Sequence, residues 1–268
     1  MSSRRSYLAS AEAGGAIYVA GGMVGETGRP LRTFQRFHVD AQRWETLSPL
    51  PEPIRAAHAA TIGDTIYVVG GQTATGRAAH AFAYDIRGGR WRRIASLPYP
   101  RFNASVVAYD GLLYAIGGYT DTELDQVLAY DPEADVWELR TALPEPLHAA
   151  GAVVFRDEIW VVGGRRGEEV LREVWIYDPR TERWREGPAM PKPMELLGAA
   201  VAGDEIHVAW ESVYQVYDAA TGEWRQGPSM DVTRHALSLF AVDGRLYAIG
   251  GCTTLLRDSQ VVETRALS

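Results

Sequence analysis

The stretch IYVVGGQTATGRAAHAFAYDIRGGRW, residues 66–91, contains the pattern that decides the fold of this chain. An apolar run ends in Gly-Gly at 70–71, a second apolar run ends in Tyr-Asp at 84–85, and Trp91 follows a glycine-containing turn. Short runs of this kind, bounded by Gly- and Asp-containing turns, are typical of β-strands. The stretch therefore predicts three consecutive short strands, of which the last carries Trp91.

The pattern recurs along the chain about every 47 residues, which indicates a repeat protein. Gly-Gly pairs stand at 21–22, 70–71, 117–118, 163–164 and 250–251, and Trp210-Glu211 occupies the equivalent place in one further copy. The repeated tryptophans are Trp44, Trp91, Trp137, Trp184 and Trp224. Each copy reads as an antiparallel meander of four strands that cannot bury both faces alone. Radial stacking of six such copies predicts an all-β, six-bladed β-propeller that forms a single domain.

The predicted blades have approximate boundaries at 5–50, 51–97, 98–144, 145–191, 192–231 and 232–268. The last copy has room for a third strand at 260–266 but for no Trp-bearing fourth strand. We therefore expect a three-stranded blade 6, a ring that closes without strand exchange, and an unpaired outer edge that favours self-association. Each repeated Trp is expected to be largely buried between its own blade and a neighbour.

The Gly-Gly, Tyr-Asp and Trp signatures, in this order, resemble the kelch family over nearly the whole chain. The resemblance implies a propeller but does not select a function. Kelch propellers include protein-interaction domains, actin binders, a sugar oxidase, a sialic acid epimerase and plant specifier proteins.

Composition narrows these choices. The formal net charge of -7 argues against a protein that mainly binds nucleic acid. Cys252 is the single cysteine, so no intramolecular disulfide calls for an oxidising compartment. No signal-peptide pattern and no membrane-spanning apolar run is evident, and a cytoplasmic location is expected. Lys192 is the single lysine, which leaves little room for Schiff-base chemistry.

The kelch resemblance implies that the first strand of each blade is innermost and that its start opens on one mouth of the channel. The residues sixteen positions before each Gly-Gly place are Arg5, Ile54, Arg101, Leu147, Met194 and Arg234. The next positions are Ser6, Arg55, Phe102, His148, Glu195 and His235, followed by Tyr7, Ala56, Asn103, Ala149, Leu196 and Ala236.

Arginines recur at these positions, and Arg165 directly follows the Gly-Gly pair of blade 4. Ring closure would bring them together at the mouth, where guanidinium groups favour a carboxylate or a phosphate. The alternative is a structural role, in which the arginines bond to backbone carbonyls. The predicted ligand-binding residues are Arg5, Arg55, Arg101, Asn103, Tyr119, Arg165, Trp210 and Arg234.

Blade 5 departs from the pattern at Trp210-Glu211. Six residues separate Glu211 from Asp218, whereas thirteen separate Gly164 from Asp178. We expect a tight hairpin, a notch in the rim of the mouth, and no need for the unusual backbone angles that glycine provides. Alternatively, Trp210 fills the space that a lost loop has left.

Catalytic motifs are scarce. The candidate acid–base residues are Glu195, Glu211, His148 and His235, all near the mouth. No histidine pair has metal-ligand spacing, so neither a metal nor another cofactor is predicted. Cys252 is either a nucleophile, a redox ligand as in the sugar oxidase, or simply a small residue.

Two function classes remain from sequence. The first is a noncatalytic module that binds an acidic peptide or an anionic small molecule at the mouth. The second is an enzyme of the epimerase, mutarotase or lyase type that acts on an anionic sugar or a similar small molecule. Neither nucleic acid nor a membrane is expected as a partner.

Overall fold

A computed structural model describes residues 4–25, 27–253 and 262–267. These residues form strands and turns without a helix, and hence without a helix long enough to cross a membrane. The strands assemble into five four-stranded blades and one three-stranded blade. The predicted six-bladed propeller with a three-stranded blade 6 is confirmed.

Every strand of blades 1 to 3 pairs antiparallel with its neighbours in chain order. Blade 1 consists of Ala9–Ala13, Ala16–Ala20, Phe34–His38 and Arg43–Thr46. Blade 2 consists of His58–Ile62, Thr65–Val69, Ala81–Asp85 and Arg90–Arg93. Blade 3 consists of Ser105–Tyr109, Leu112–Ile116, Val127–Asp131 and Val136–Arg140.

Blades 4 to 6 repeat this meander. Blade 4 consists of Gly151–Phe155, Glu158–Val162, Val174–Asp178 and Arg183–Glu186. Blade 5 consists of Gly198–Ala202, Glu205–Trp210, Val213–Asp218 and Glu223–Gln226, and blade 6 of His235–Val242, Arg245–Cys252 and Val262–Ala266. Two-stranded hairpins project from blades 1, 2 and 4 and pair Met23–Val24 with Arg29–Pro30, Gln72–Thr73 with Gly76–Arg77, and Arg165–Arg166 with Glu169–Val170.

The core is divided among the blade interfaces, with one apolar cluster at each of the six. Tyr67 of blade 2, for example, packs in one cluster with Leu113 and Tyr130 of blade 3. A sheet that is covered on both faces needs apolar side chains on both, which explains the nearly continuous apolar second and third strands. The stacking of the blades therefore provides most of the burial that holds the fold together.

Four of the repeated tryptophans fasten the outer strands of blades 2 to 5 to the preceding blade. Trp91 packs against Tyr84 across the strand pair, with 5.0 Å between ring centroids, and its indole N–H donates to the Ser48 carbonyl at 2.9 Å. The same bond joins Trp137 to Ala95, Trp184 to Thr141 and Trp224 to Pro188. As expected, each of the five tryptophans packs against the apolar cluster between its own blade and a neighbour, although the solvent-facing outer strand leaves it partly exposed.

Blade 6 replaces this Trp bond with an arginine. The Arg265 guanidinium donates to the Pro228 carbonyl at 3.0 Å and to the Ser229 carbonyl at 2.9 Å, and it lies 4.9 Å from the centre of the Tyr214 ring. Pro228 follows Trp224 by the same four residues that separate Ser48 from Trp44. The carbonyl that a Trp side chain caps in four other interfaces is therefore capped by Arg265 here.

Within the described ranges, each blade is built from one continuous segment, which confirms closure without strand exchange. Blades 6 and 1 meet through an apolar cluster that includes Val19 and Tyr247, and through a 2.6 Å hydrogen bond between the Ser10 and Ser238 hydroxyls. The predicted third strand at 260–266 is observed from Val262 to Ala266, and its first two positions lie outside the described residues.

Candidate functional site

The mouth of the channel is bordered by six residues in the left-handed region of φ, one from each blade, which we call the rim. They are Tyr7, Ala56, Asn103, Ala149, Leu196 and Ala236, with φ between 47° and 58°. Five backbone hydrogen bonds of 2.8–3.1 Å link successive members, from the Ala56 N–H to the Tyr7 carbonyl through to the Ala236 N–H and the Leu196 carbonyl. Non-glycine residues hold such angles only where surrounding structure fixes them, so the rim is a preorganised element.

The Gly-Gly pairs lie just outside the rim and allow the next blade to approach. The Gly71 N–H donates to the Arg101 carbonyl at 2.7 Å. A Cβ atom on Gly70 would lie 2.5 Å from that same carbonyl oxygen, and both glycines have positive φ. A side chain on Gly70 in this backbone conformation would therefore push the neighbouring blade away.

Blade 5 forms the same inter-blade bond without glycine. Trp210 pairs with Val213, so Glu211 and Ser212 form a two-residue hairpin, which confirms the predicted tight turn. The Glu211 N–H donates to the Arg234 carbonyl at 2.8 Å while Glu211 holds φ at 53°. The expectation that unusual backbone angles are no longer needed is wrong, because the bond to blade 6 still requires one left-handed residue.

Three of the predicted ligand-binding arginines lie inside the blades. Arg5, Arg101 and Arg234 are each 0% exposed. Arg101 donates to the Gly117 carbonyl at 3.1 Å and to Gln126 Oε1 at 2.9 Å. Arg5 makes equivalent bonds to Gly21 and Gln35, and Arg234 to Gly250 and Glu263.

The expectation that these three side chains point into the mouth is therefore wrong. Their backbone is at the mouth, but each guanidinium turns back to the carbonyl of the first glycine of its own blade. The structural alternative holds for them. Ile54, Leu147 and Met194, which stand at the same position in blades 2, 4 and 5, are also buried.

Two of these buried cations have no neutralising carboxylate among the residues that the structure describes. Burial lowers the pKa of Arg5 to about 10 and that of Arg101 to about 10, so both remain charged at neutral pH. Among the described residues, no carboxylate lies within ion-pair distance of either, whereas Arg234 lies 3.2 Å from Glu263 Oε2. Their acceptors are carbonyl and amide oxygens, which bond the cation without cancelling its charge.

Arg55 and Arg165 are the predicted arginines that do reach the mouth, and both are half-buried. Arg165 donates to Glu195 Oε1 at 2.9 Å and to the Gly167 carbonyl at 2.9 Å. Arg55 Nη1 lies 3.0 Å from the Met23 sulfur. Within the described ranges, Arg55 forms no ion pair.

An aromatic wall flanks the mouth on blades 3 and 4. The ring centroids of Phe102 and Tyr119 lie 5.5 Å apart, and those of Tyr119 and His148 lie 5.1 Å apart. Asn103 is a rim residue with a nearly buried side chain. Trp210 is half-buried against a cluster that includes Met190 and Met194, which agrees with its filling the space of a lost loop.

The four candidate acid–base residues do not assemble into one centre. Glu195 pairs with Arg165, and His148 Nδ1 lies 3.8 Å from Glu123 Oε1. Burial lowers the pKa of His148. His235 Nε2 lies 3.0 Å from the sulfur of Cys252, which is 1% exposed. Among the described residues, no two of the four candidates are within ion-pair distance, and no three His, Cys, Asp or Glu side chains are grouped as metal ligands.

Two residues were not selected from sequence. Burial raises the pKa of Tyr7, and the nearby Cys252 and Glu195 raise it further, so its hydroxyl lies in the field of both groups. His58 lines the channel, a cavity of about 180 Å³ whose walls are mainly Ala, Gly and Ser. Burial lowers the pKa of His58 to about 4. The sequence contained a signal for each of them. Tyr7 is the one aromatic residue of the rim, and His58 occupies a repeat position at which the other blades have Ala, Gly or Ser.

The buried arginines predict a stability test. Arg101→Ala should lower the free energy of unfolding by about 2–4 kcal/mol, because it leaves a cavity and unpaired carbonyl groups. Arg55→Ala, at the half-buried mouth position, should change it by less than about 1 kcal/mol. Urea unfolding compares the two variants, and equal stability would contradict the structural assignment of Arg101.

His58 predicts a pH effect. Its pKa of about 4 in the fold lies below the ordinary value, so between these values the unfolded chain binds more protons and stability falls as pH falls. Between pH 7 and pH 4, the intact chain should lose about 1–3 kcal/mol more of its free energy of unfolding than the His58→Gln variant loses. This range allows for water in the channel, which screens the charge of the imidazolium. Urea unfolding at several pH values in this range measures the free energy of unfolding of both proteins. The carboxylates contribute equally to both, so the difference between the two pH profiles reports His58. Parallel pH profiles would refute the assignment.

Comparison with known proteins agrees with this architecture. The sequence matches the KLHDC2/KLHL20/DRC7 Kelch-repeats domain over residues 7–209, which is about three-quarters of the chain. No curated protein matches the sequence significantly. The repeat signatures, the six blades and the domain match agree, and the chain belongs to the kelch-repeat family, whose propellers generally bind protein partners.

Proposed function

We propose that this propeller is a noncatalytic binding module that holds an acidic peptide or an anionic small molecule at its mouth. The observation that carries the proposal is Arg55, a half-buried guanidinium at the mouth whose side-chain contact is the Met23 sulfur. A charged donor in partly desolvated surroundings gains most from a ligand carboxylate, which it can bind through two hydrogen bonds.

The buried arginines support the proposal without touching the ligand. Arg5 and Arg101 carry charges that no carboxylate neutralises within the described residues, and both lie two positions from the rim. Fixed charges in a low-dielectric wall act over a longer distance than charges in water. They therefore add to the positive potential that Arg55 creates, although the whole chain has a formal net charge of -7.

Arg165 and the aromatic wall supply further contacts. The Arg165–Glu195 pair offers a second guanidinium, which an incoming carboxylate can share while Glu195 stays bonded. Phe102 and Tyr119 present ring surface beside the rim. Both features can contribute binding energy to a peptide, because the residues that dominate the binding energy of interfaces are commonly aromatic residues and arginine.

This function predicts a selective loss of binding. Arg55→Gln should weaken the binding of an acetylated, amidated Glu-rich peptide roughly tenfold to a hundredfold, the worth of about 1–3 kcal/mol for a charged hydrogen bond. Arg90→Gln is the matched control, because Arg90 is exposed on the outer strand of the same blade. Calorimetric titration at two salt concentrations should show affinity falling with salt. Equal loss in both variants, or no loss in either, would refute the role of Arg55.

Self-association through the 260–266 edge is a separate proposal that we retain for the described part, Val262–Ala266. This strand pairs with Arg245–Cys252 on one side, and its other edge has no strand partner in the described ranges. Thr264 is exposed on it. A second copy can add its own edge strand, as unprotected edges commonly do.

Sedimentation at several protein concentrations tests this edge. We expect a concentration-dependent dimer that Thr264→Lys abolishes, because a charge on an edge opposes strand addition. Thr221→Lys, at an exposed turn of blade 5, should leave the dimer intact. A monomer at all concentrations rules the proposal out.

A further inference from the structure

The mouth carries opposite charges on opposite sides. In a ring of six blades, blade 2 faces blade 5 across the channel. Arg55 belongs to blade 2 and Glu211 to blade 5. Glu211 is half-buried, and the described residues form no ion pair with its carboxylate. This cation and this anion therefore belong to blades on opposite sides of the channel.

The charges of the whole segments follow the same pattern, with an excess of basic residues in blade 2 and of acidic residues in blade 5. The blade 2 segment, 51–97, contains six basic and three acidic residues, whereas the blade 5 segment, 192–231, contains two basic and seven acidic residues. Much of this charge is exposed at the outer strands and is screened by salt. It nevertheless orients an approaching ligand, because long-range potentials steer charged partners before contact.

Among the described loops that follow the Gly-Gly positions, the loop of blade 5 is the shortest. Blades 1, 2 and 4 extend two-stranded hairpins beyond their Gly-Gly pairs, whereas blade 5 turns back within Glu211 and Ser212. The Glu211 backbone is fixed by its bond to the Arg234 carbonyl, so the notch has a defined floor. A chain lying across the mouth can leave over this hairpin without bending away from the surface.

We propose that the ligand is an internal peptide segment that crosses the mouth from blade 2 to blade 5, with a carboxylate at Arg55 and a cationic side chain at Glu211. This inference rests on the proposed function and adds the orientation and the second charge of the ligand. A bipolar segment, which carries both a negative and a positive side chain, should therefore bind more tightly than a purely acidic segment. The segment needs no free terminus, because the notch lets it continue beyond the rim.

The test uses three sets of synthetic peptides, acetylated and amidated, with a Gly-Ser background. One set contains a single Asp, one contains a single Lys, and one contains both at spacings of four to eight residues, which cover about 13–28 Å in an extended chain. The protein is the intact chain and its Glu211→Gln variant. Glu223→Gln is the charge-matched control, because Glu223 is exposed on the outer strand of the same blade.

The bipolar peptide of best spacing should bind the intact chain about fivefold to twentyfold more tightly than the Asp peptide, the effect of one additional charged contact. Glu211→Gln should remove this gain and leave the affinity for the Asp peptide unchanged, while Glu223→Gln should preserve the gain. Thermal unfolding of each variant verifies that the fold is intact.

The outcomes separate this inference from the proposed function. If the Asp peptide binds through Arg55 but no bipolar peptide binds more tightly, the inference is overturned and the proposed function stands. If the Asp peptide does not bind and Arg55→Gln changes nothing, both are overturned. A gain that survives in Glu211→Gln assigns the cation to another residue and also overturns the inference.

Discussion

The hydrogen bond from the second residue of the Gly-Gly position to the next blade, which blades 1 to 5 form, is the constraint on which the stacking of the blades depends. Gly71 donates to the Arg101 carbonyl, and Arg101 turns its guanidinium back to the Gly117 carbonyl of its own blade. The inter-blade bond and the intra-blade bond therefore share one residue. Where this residue is Ile, Leu or Met, apolar packing replaces the second bond while the first remains.

This arrangement separates the ring from the loops that extend beyond it. Blade 5 forms the inter-blade bond through Glu211 even though its loop has shrunk to two residues. The rim residues keep their left-handed backbone in all six blades, whatever side chain they carry. Side chains around the mouth can therefore differ from blade to blade without disturbing closure, which is the usual way in which a rigid scaffold carries a binding site.

The repeated spacing of Gly-Gly, Tyr-Asp and Trp was sufficient to predict the blades, the short last blade and the tight hairpin at Trp210. It was not sufficient for the side chains at the mouth. Equivalent register predicted that Arg5, Arg101 and Arg234 would converge, but register does not determine whether a long side chain enters the channel or its own blade. The apolar residues at the same position, such as Ile54, were the available signal, because one repeat position has one environment. No repeat position identified the role of Arg265, because blade 6 uses an arginine for the hydrogen bond that a Trp side chain makes in blades 2 to 5.

Each of the first five junctions between blades is spanned by a backbone hydrogen bond between two rim residues, and the junction between blades 6 and 1 is not, within the described residues. Rim backbone bonds run from blade 1 to blade 6, and the described residues form none from Ala236 back to Tyr7. Because each blade is one continuous segment within the described ranges, the propeller is a linear array of stacked units whose first and last blades meet. Separating those ends requires no strand to be withdrawn from a sheet. A ligand that contacted blades on both sides of this junction would bind the closed ring in preference, and its binding energy would then hold the junction shut.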